Sequence, residues 1–495
     1  MVLKPLISII GTTGVGKSRL AIDLALAISS HAREHGWHAA KVINSDSMQV
    51  YAGADVITNK VSESERRGVA HLLMSFKEPG EQYVVGQWVN DAVKEIDDLH
   101  HQKTIPIVVG GTAYWMQHLL FPNRLTSFED PDYPEFQSTR RNTPPSNSPA
   151  LEKGIASLPE PLLELFVNLP KKPNPEQGFT LYSLLSVLDP TMASRWHWKD
   201  TRKVLRNLEI IKEKGLLASE VMAQQARCAE GPRYSTLVFW LFSEPDLLHT
   251  RLNDRVDEMI QQGLLDDVRM LQRVALSDSS TTGEIDTTSG VFQAIGFKEF
   301  SNYLSSPTLC QKQYADSIER TKISTRQYAK RQIQWIRNKF LPAVNAADKS
   351  GIKTPVFLLN VADLDEWNVD IRDMAIRITQ DFLDEKELPD PRSLSQVANC
   401  MLDVQVELKD PTATLAVRHK VVCDVCTADP KQPFMVEEGQ EWRDHVQSRK
   451  HRRLRRQHDH PEVHPRKKHK TTSTDNLDLN NALYLLDLTS RIDET

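Results

Sequence analysis

The chain has 495 residues, 40% of them hydrophobic and 26% charged, with a formal net charge of −5 at pH 7. At about 150 residues per domain, that length suggests about three domains and excludes a single small module. The composition lies close to the globular average, which excludes wholesale disorder and a collagen-like chain, and the longest apolar runs stay far below the ~20 residues of a membrane helix.

Residues 6–10 form a short apolar run that stops at glycine, followed by Leu20, Ala21, Leu24, Ala25 and Ile28 at helical spacing. This reads as strand, loop and helix. Residues 41–44 and 105–109 repeat the strand signal, and between them Val89, Val93, Ile96 and Leu99 outline an amphipathic helix. Strands alternating with helices predict a parallel α/β sheet, whose ligands sit beyond the carboxyl ends of the strands. From 122 to 199 the pattern turns Pro-rich and polar at 142–149, then helical at 158–169 and 180–188, as expected of an inserted helical subdomain. The sheet pattern resumes at 237–242, one long helix is expected over 247–271, and residues 276–290, with eight Ser/Thr in fifteen, read as a solvent loop. A long helix rich in Lys and Arg is expected over 317–340 and a last strand over 356–360. The fold class expected is thus α/β, a P-loop parallel sheet flanked by helices, with its core in two parts, 1–121 and 200–388. A linker at 389–417, a small finger module at 418–458 and a basic then polar tail at 459–495 complete the chain.

Gly11-Thr12-Thr13-Gly14-Val15-Gly16-Lys17-Ser18 matches the phosphate loop G-x4-G-K-[ST], after a strand and opening a helix as its mechanism requires. The glycines let backbone N–H groups approach phosphate oxygens, the helix N-terminus adds positive potential, Lys17 supplies a charge and Ser18 can ligate Mg²⁺. A nucleoside triphosphate or any other diphosphate satisfies the same groups. The second strand ends in Asn44-Ser45-Asp46-Ser47-Met48-Gln49-Val50-Tyr51. An Asp there can accept a proton from a nucleophile or hold Mg²⁺, and serves equally as a helix N-cap or turn carboxylate. The third strand ends in Gly110-Gly111-Thr112-Ala113-Tyr114-Trp115, a tight turn that brings a hydroxyl and aromatics to the same edge.

In order along one sheet, these motifs resemble the tRNA dimethylallyltransferases, also called tRNA isopentenyltransferases, of the eukaryotic, fungal type. Further matches are DTRKVLRNLE at 200–209, RLNDRVDEMIQQG at 251–263, QAIGFKE at 293–299 and TRQYAKRQIQWIR at 325–337. The likeness covers roughly residues 6–340 plus the C-terminal finger. It implies transfer of a dimethylallyl group from dimethylallyl diphosphate to N6 of the adenosine just 3′ of the tRNA anticodon, position 37, with release of diphosphate. The chemistry agrees, because a diphosphate leaving an allylic carbon needs positive charge on its departing oxygens, and an exocyclic amine with a delocalised lone pair needs a base.

By the same resemblance, Arg255 serves the diphosphate, Thr13 lies beside the reacting centre, and Asp46 takes the N6 proton. The target base must leave the anticodon-loop stack, and tRNA contacts are implied for Asp46, Ser47, Met48, Gln49, Thr112, Arg202, Lys203, Arg206, Gln293, Gly296 and Lys298. Taken alone, Arg202, Lys203, Arg206 and Arg255 read as solvated charges on amphipathic helices. Two departures stand out: His197-Trp198-Lys199-Asp200 replaces the family's His-Pro-Asn-Asp, and Ala113-Tyr114-Trp115 replaces a pair of tyrosines after the Gly-Gly-Thr turn.

Cys423-x2-Cys426-x18-His445-x5-His451 carries metal-ligand types at both ends, with a longer centre than the usual finger spacing of about twelve. Two thiolates and two imidazoles make a closed tetrahedral site, so Zn²⁺ here is expected to be structural. The pattern resembles the extended C2H2 fingers of RNA-binding proteins, including that of the eukaryotic relatives. The other reading, histidines clustered in a basic tail, draws on six of the sixteen histidines lying between His445 and His469. Residues 443–470 hold eleven Lys/Arg against three acids, so this end seeks a polyanion, and the charges at 449–456 would face phosphates. The remaining cysteines, Cys228, Cys310 and Cys400, are expected as isolated buried thiols, and this odd total of five suits a reducing compartment.

The chain is expected to be intracellular and cytoplasmic, with a run of nuclear-import type at 465–470 and room for a mitochondrial form through an upstream start. It is expected to act as a monomer on the tRNA anticodon stem-loop, away from membranes. Two other functions fit parts of the pattern. A phosphate-loop kinase of a small metabolite would turn over ATP, and a finger protein with a phosphate-loop scaffold would bind RNA without making a product.

Overall fold

Along β1 (Pro5–Gly11), Leu6 and Ile10 pack to one side while Ile7 and Ile9 pack to the other. This alternation between two buried faces continues through β2 (Ala39–Asn44), β4 (Thr104–Val109), β5 (Ser235–Phe242) and β6 (Val356–Asn360), joined by the two-residue β3 (His71–Leu72). All five pairings are parallel, in the order β3-β2-β4-β1-β5-β6. An all-parallel sheet must be covered on both faces, so its strands read as nearly unbroken apolar runs. Helices Val85–His101 and Ala113–Leu120 cover one face, and helices Lys17–Ser30 and Met374–Leu383 the other.

The computed structural model describes residues 3–30, 36–122, 147–170, 175–227, 231–278, 287, 290–306, 310–348, 351–404 and 419–459. The chain divides into two compact units, Met1–Val417 and Arg418–Thr495. Among the described residues no helix is long and apolar enough to cross a membrane. The tail from 460 onward, with its import-type run, lies outside the described residues, as do Cys228 and most of the Pro-rich and Ser/Thr-rich stretches.

The insertion has a core of its own. Leu181, Leu184, Leu188, Val204, Leu208 and Val221 pack together apart from both faces of the sheet. Helices Thr201–Lys214 and Ala218–Arg227 therefore continue the insertion, whose expected end at 199 falls short of its packing. Apolar periodicity runs on across a break that only the backbone reveals: the single helix expected over 247–271 is two helices, Pro245–Gln261 and Leu264–Asp278, parted at Gly263 with φ +105°. The basic helix begins earlier than expected, at Gln311, runs to Trp335, and passes through a π turn, Ile336–Phe340, into helix Leu341–Asp348.

Part of the expected linker is folded. Its turn Pro391–Leu394 and helix Gln396–Leu402 bury Ala398 and Leu402 in the core on one sheet face. Cys310 and Cys400 are exposed, contrary to expectation. The first precedes helix Gln311–Trp335 as its cap, and the second lies on the outer side of a helix anchored by Ala398 and Leu402.

Helix Leu264–Asp278 also carries a tie that shapes the site: one oxygen of Asp267 accepts the N–H groups of Val56 and Ile57, each at 2.9 Å. Hydrogen bonds to a charged acceptor each contribute about 1.5–3 kcal/mol, partly offset by water at a half-buried site. Asp267→Ala should accordingly lower unfolding stability by about 2 kcal/mol in a urea titration.

Candidate active site and metal centre

Gly11 pairs with Leu241 and Ile9 with Val109, while Asn44 of β2 also pairs with Val109, so four strands end nearly level. The loops that follow β1, β2 and β4 leave on one edge and wall a cavity of about 880 Å³. The first is the phosphate loop. Gly16 has φ +83°, and a Cβ there would stand 2.7 Å from the ring of Trp367, so the loop can pass only as glycine. Thr13, Gly14, Gly16, Lys17 and Ser18 line the cavity; Gly11, Thr12 and Val15 do not, and all three are buried. Lys17 donates to the Thr12 carbonyl at 2.5 Å. Burial pulls its ammonium down to about 8, opposed by the carboxylate of Asp46 and aided by the Arg255 guanidinium.

Asp46 fills two roles by geometry. Its Oδ1 accepts the Met48 N–H at 2.9 Å, as a turn carboxylate does. Its Oδ2 faces Gly111, where an added Cβ would lie 3.2 Å away. Asn44 holds the turn from below, accepting the Asp46 N–H at 3.0 Å and donating to the Leu73 carbonyl at 3.0 Å. Ser47 donates its N–H to Thr112 Oγ1 at 3.2 Å, which links the second and third loops. Their approach explains the glycine pair, since a Cβ on Gly110 would sit 2.1 Å from the Ser45 carbonyl oxygen. Asp46, Ser47, Met48 and Gln49 all line the cavity, although Gln49 turns its amide onto the carbonyls of Thr58 and Asn59.

Arg255 is no surface charge. Helix Pro245–Gln261 buries Leu248, Leu252 and Val256, and this seats Arg255 against the phosphate loop. Its Nη1 donates to Thr13 Oγ1 at 3.4 Å and its Nε to Asn59 Oδ1 at 2.8 Å. Burial brings the guanidinium down to about 10, so it stays charged at neutral pH. Three residues absent from the sequence-derived set join these groups: Asn59, Tyr328 and Gln332 all line the cavity. Tyr328 and Gln332 lie four apart on helix Gln311–Trp335, inside the motif at 325–337, and that spacing was the available signal.

Other expected contacts lie away from the cavity. Among Arg202, Lys203, Arg206, Gln293, Gly296, Lys298 and Thr112, only Gln293 lines it. Arg202 and Lys203 are exposed on helix Thr201–Lys214, with the Lys203 ammonium 4.7 Å from the centroid of the Trp196 ring. Arg206 is held by Glu209 at 3.1 Å and Glu213 at 3.3 Å. Gly296 opens helix Phe297–Leu304 and donates its N–H to Glu299 at 2.8 Å, while Lys298 is exposed.

In the second unit, β7 (Lys420–Val422) and β8 (Met435–Glu437) pair antiparallel ahead of helices Gln440–Gln447 and Arg449–Asp459. The possible ligand atoms of Cys423, Cys426, His445 and His451 all lie within 4.8 Å of one another. A tetrahedral zinc site has S···N edges of about 3.5 Å and N···N edges of about 3.3 Å, given its bond lengths. Here His451 Nδ1 lies 3.4 Å and 3.5 Å from the two sulfurs and 3.1 Å from His445 Nε2. Burial and the adjoining Cys423 push the Cys426 thiol up to about 11. The four residues fit a metal ion. Arg449, Lys450, Arg452, Arg453, Arg455 and Arg456 are exposed beside them.

Residues 49–339 match the IPP transferase family. The chain belongs to that family. A Schizosaccharomyces pombe protein named tRNA dimethylallyltransferase is 35% identical over 453 residues, 91% of this chain and 94% of its own length. A human protein of the same name is 32% identical over 460 residues, 90% of this chain and 85% of its own. Among solved structures, a eukaryotic dimethylallyltransferase acting on tRNA aligns with a TM-score of 0.68 at 31% identity, covering 93% of this chain and 99% of that one.

For this IPP transferase, Lys17 sets a pH signature on anion binding. Its ammonium loses its proton as pH rises through about 8, whereas a bound anion favours the charged form. Affinity for inorganic diphosphate should therefore fall on the alkaline side of that value. Lys17→Arg keeps its charge through that range and should shift the fall to higher pH, where Arg255 also begins to lose its proton, as calorimetric titrations from neutral to alkaline pH would read.

Proposed function

We propose that the chain transfers the dimethylallyl group of dimethylallyl diphosphate to N6 of the adenosine at tRNA position 37, beside the anticodon, and releases diphosphate. The observation that carries this reading, in an IPP transferase, is one cavity shared by a carboxylate, Asp46, and two buried cations, Lys17 and Arg255. In the step proposed, the allylic C–O bond to diphosphate breaks, a bond from that carbon to N6 forms, and the N6 proton passes to Asp46. Lys17 and Arg255 take up the charge that develops on the leaving oxygens, and Thr13, hydrogen-bonded to Arg255, stands at the reacting centre.

Ser18, lining the cavity at the head of helix Lys17–Ser30, would hold Mg²⁺, which supplies further positive charge to the diphosphate when bound. Cys423, Cys426, His445 and His451 would hold Zn²⁺ as a structural ion, since four protein ligands leave no open position. The exposed cations of helix Arg449–Asp459 then suit RNA phosphates. On the first unit, Ser47, Met48, Gln49, Thr112 and Gln293 would meet the flipped base and its neighbours, with Gly296 and Lys298 just beyond. Arg202 and Lys203 would meet the backbone, and Arg206 would exchange Glu209 and Glu213 for phosphate.

Undermodified tRNA incubated with labelled dimethylallyl diphosphate or with labelled ATP tests the reading. Label from the prenyl donor should appear on the adenosine beside the anticodon, and phosphate transfer from ATP instead would sink it in favour of a kinase. Asp46→Asn keeps shape and one hydrogen bond but cannot take a proton, so single-turnover transfer should drop about 10²- to 10⁴-fold with both substrates still bound. A rate close to wild type would remove Asp46 from the chemistry. Cys426→Ser should weaken tRNA binding and flatten its salt dependence, each lost phosphate contact reducing the log–log slope by about 0.7–0.9. Filter-binding across a salt series, with zinc content measured in parallel, reads this directly.

A further inference from the structure

Gln332 is 5% exposed and lies near the end of helix Gln311–Trp335, just ahead of the π turn Ile336–Phe340. Its Oε1 accepts the Thr13 N–H at 2.9 Å, and its Nε2 donates to the Gly111 carbonyl at 2.9 Å. One amide thus joins the loop that follows β1 to the loop that follows β4. We infer that Gln332 is a positioning residue for group transfer, its amide fixing the gap between the phosphate loop and the Gly110–Gly111 turn that lies against Asp46. The inference rests on the function proposed above and deepens it.

The amide can be held in one sense only. Turned over, it would set N–H against N–H and carbonyl against carbonyl, so its orientation is dictated by its partners. On the loop side, the fixed backbone of Thr13 carries the hydroxyl that meets Arg255 at 3.4 Å. On the other side, Gly111 is pressed between the amide and the carboxylate. A Cβ there would stand 2.7 Å from Gln332 Nε2 and 3.2 Å from Asp46 Oδ2. The amide and the carboxylate thus flank one backbone position, Gly111, which the Gln332 hydrogen bond holds in place. Tyr328, one turn earlier, pairs with the same Gln332, and burial followed by the Asp46 charge raises its phenol, keeping it a neutral hydroxyl.

Transfer between two bound substrates requires the reacting atoms to stand about 3–3.5 Å apart, and a displacement of about 1 Å can cost about 10²-fold in rate. Gln332 touches both loops that bound the gap, through the backbone of Thr13 and of Gly111 rather than through reacting groups.

The test compares Gln332→Leu and Gln332→Glu with wild type in the full-length chain. Single-turnover transfer at saturating dimethylallyl diphosphate and tRNA should fall by about 10²-fold in Gln332→Leu, while binding of inorganic diphosphate and of tRNA changes little. Gln332→Glu offers an acceptor to Thr13 but repels the Gly111 carbonyl until it is protonated. The ratio of its rate to wild type should therefore climb as pH falls while binding of inorganic diphosphate and of tRNA stays near wild type, whereas a purely structural residue would move binding and rate together. A wild-type rate in Gln332→Leu, a parallel loss of binding and rate, or a pH-independent Glu ratio would each overturn the inference while wild type still transfers label. If Gln332→Leu does not fold, as judged by thermal melting, the Glu ratio decides alone. Should wild type itself transfer nothing, the proposed function falls first and the inference with it.

Discussion

Because β1, β2, β4 and β5 run parallel and pair through Gly11–Leu241, Ile9–Val109 and Asn44–Val109, their ends cannot be far apart. The phosphate loop, the turn at Asp46 and the glycine pair at 110–111 must then emerge side by side. Glycine is needed where those loops touch, and Asn44 and Thr112 fasten them with hydrogen bonds. Helices Pro245–Gln261 and Gln311–Trp335 approach the same edge and bring Arg255, Tyr328 and Gln332 to it. The site is a consequence of sheet register before it is a consequence of any one side chain.

Electrostatics then select what can occupy the edge. Lys17 and Arg255 are both pulled down by burial, each an ion removed from much of its water. Asp46 offsets part of that penalty, and an anion in the cavity would offset more. A multiply charged leaving group suits such a site, since charge on its oxygens grows as the bond to carbon breaks. The carboxylate remains available on its Oδ2 side because Oδ1 is occupied by the Met48 N–H.

Local signals were legible in the sequence and distant ones were not. The phosphate loop and the metal quartet are short patterns that spacing alone reveals, whereas Asp46 reads equally as a base, an Mg²⁺ ligand or a turn carboxylate until the family resemblance singles it out. Arg255 reads locally as a surface charge, and only the family resemblance pointed to the diphosphate; its burial depends on helix packing across the fold. Gln332 meets Thr13 across 319 positions, a separation that no periodicity reports. The single helix expected over 247–271 missed the break at Gly263, because apolar spacing continues through it while the backbone does not. The linker expected from 389 failed for the opposite reason: a short polar stretch with two apolar anchors, Ala398 and Leu402, suffices to dock a helix.

The helical insertion gathers Leu184, Leu188, Val204, Leu208 and Val221 into an apolar set separate from those beneath the sheet. Regions that bury their own contacts open as their own cooperative units. Amide protons at Leu184 and Leu208 should thus exchange with solvent through an opening that leaves those of Val108 and Val238 protected. Hydrogen exchange should then divide the first unit into two foldons, with the strand ends that frame the cavity in the one that stays protected.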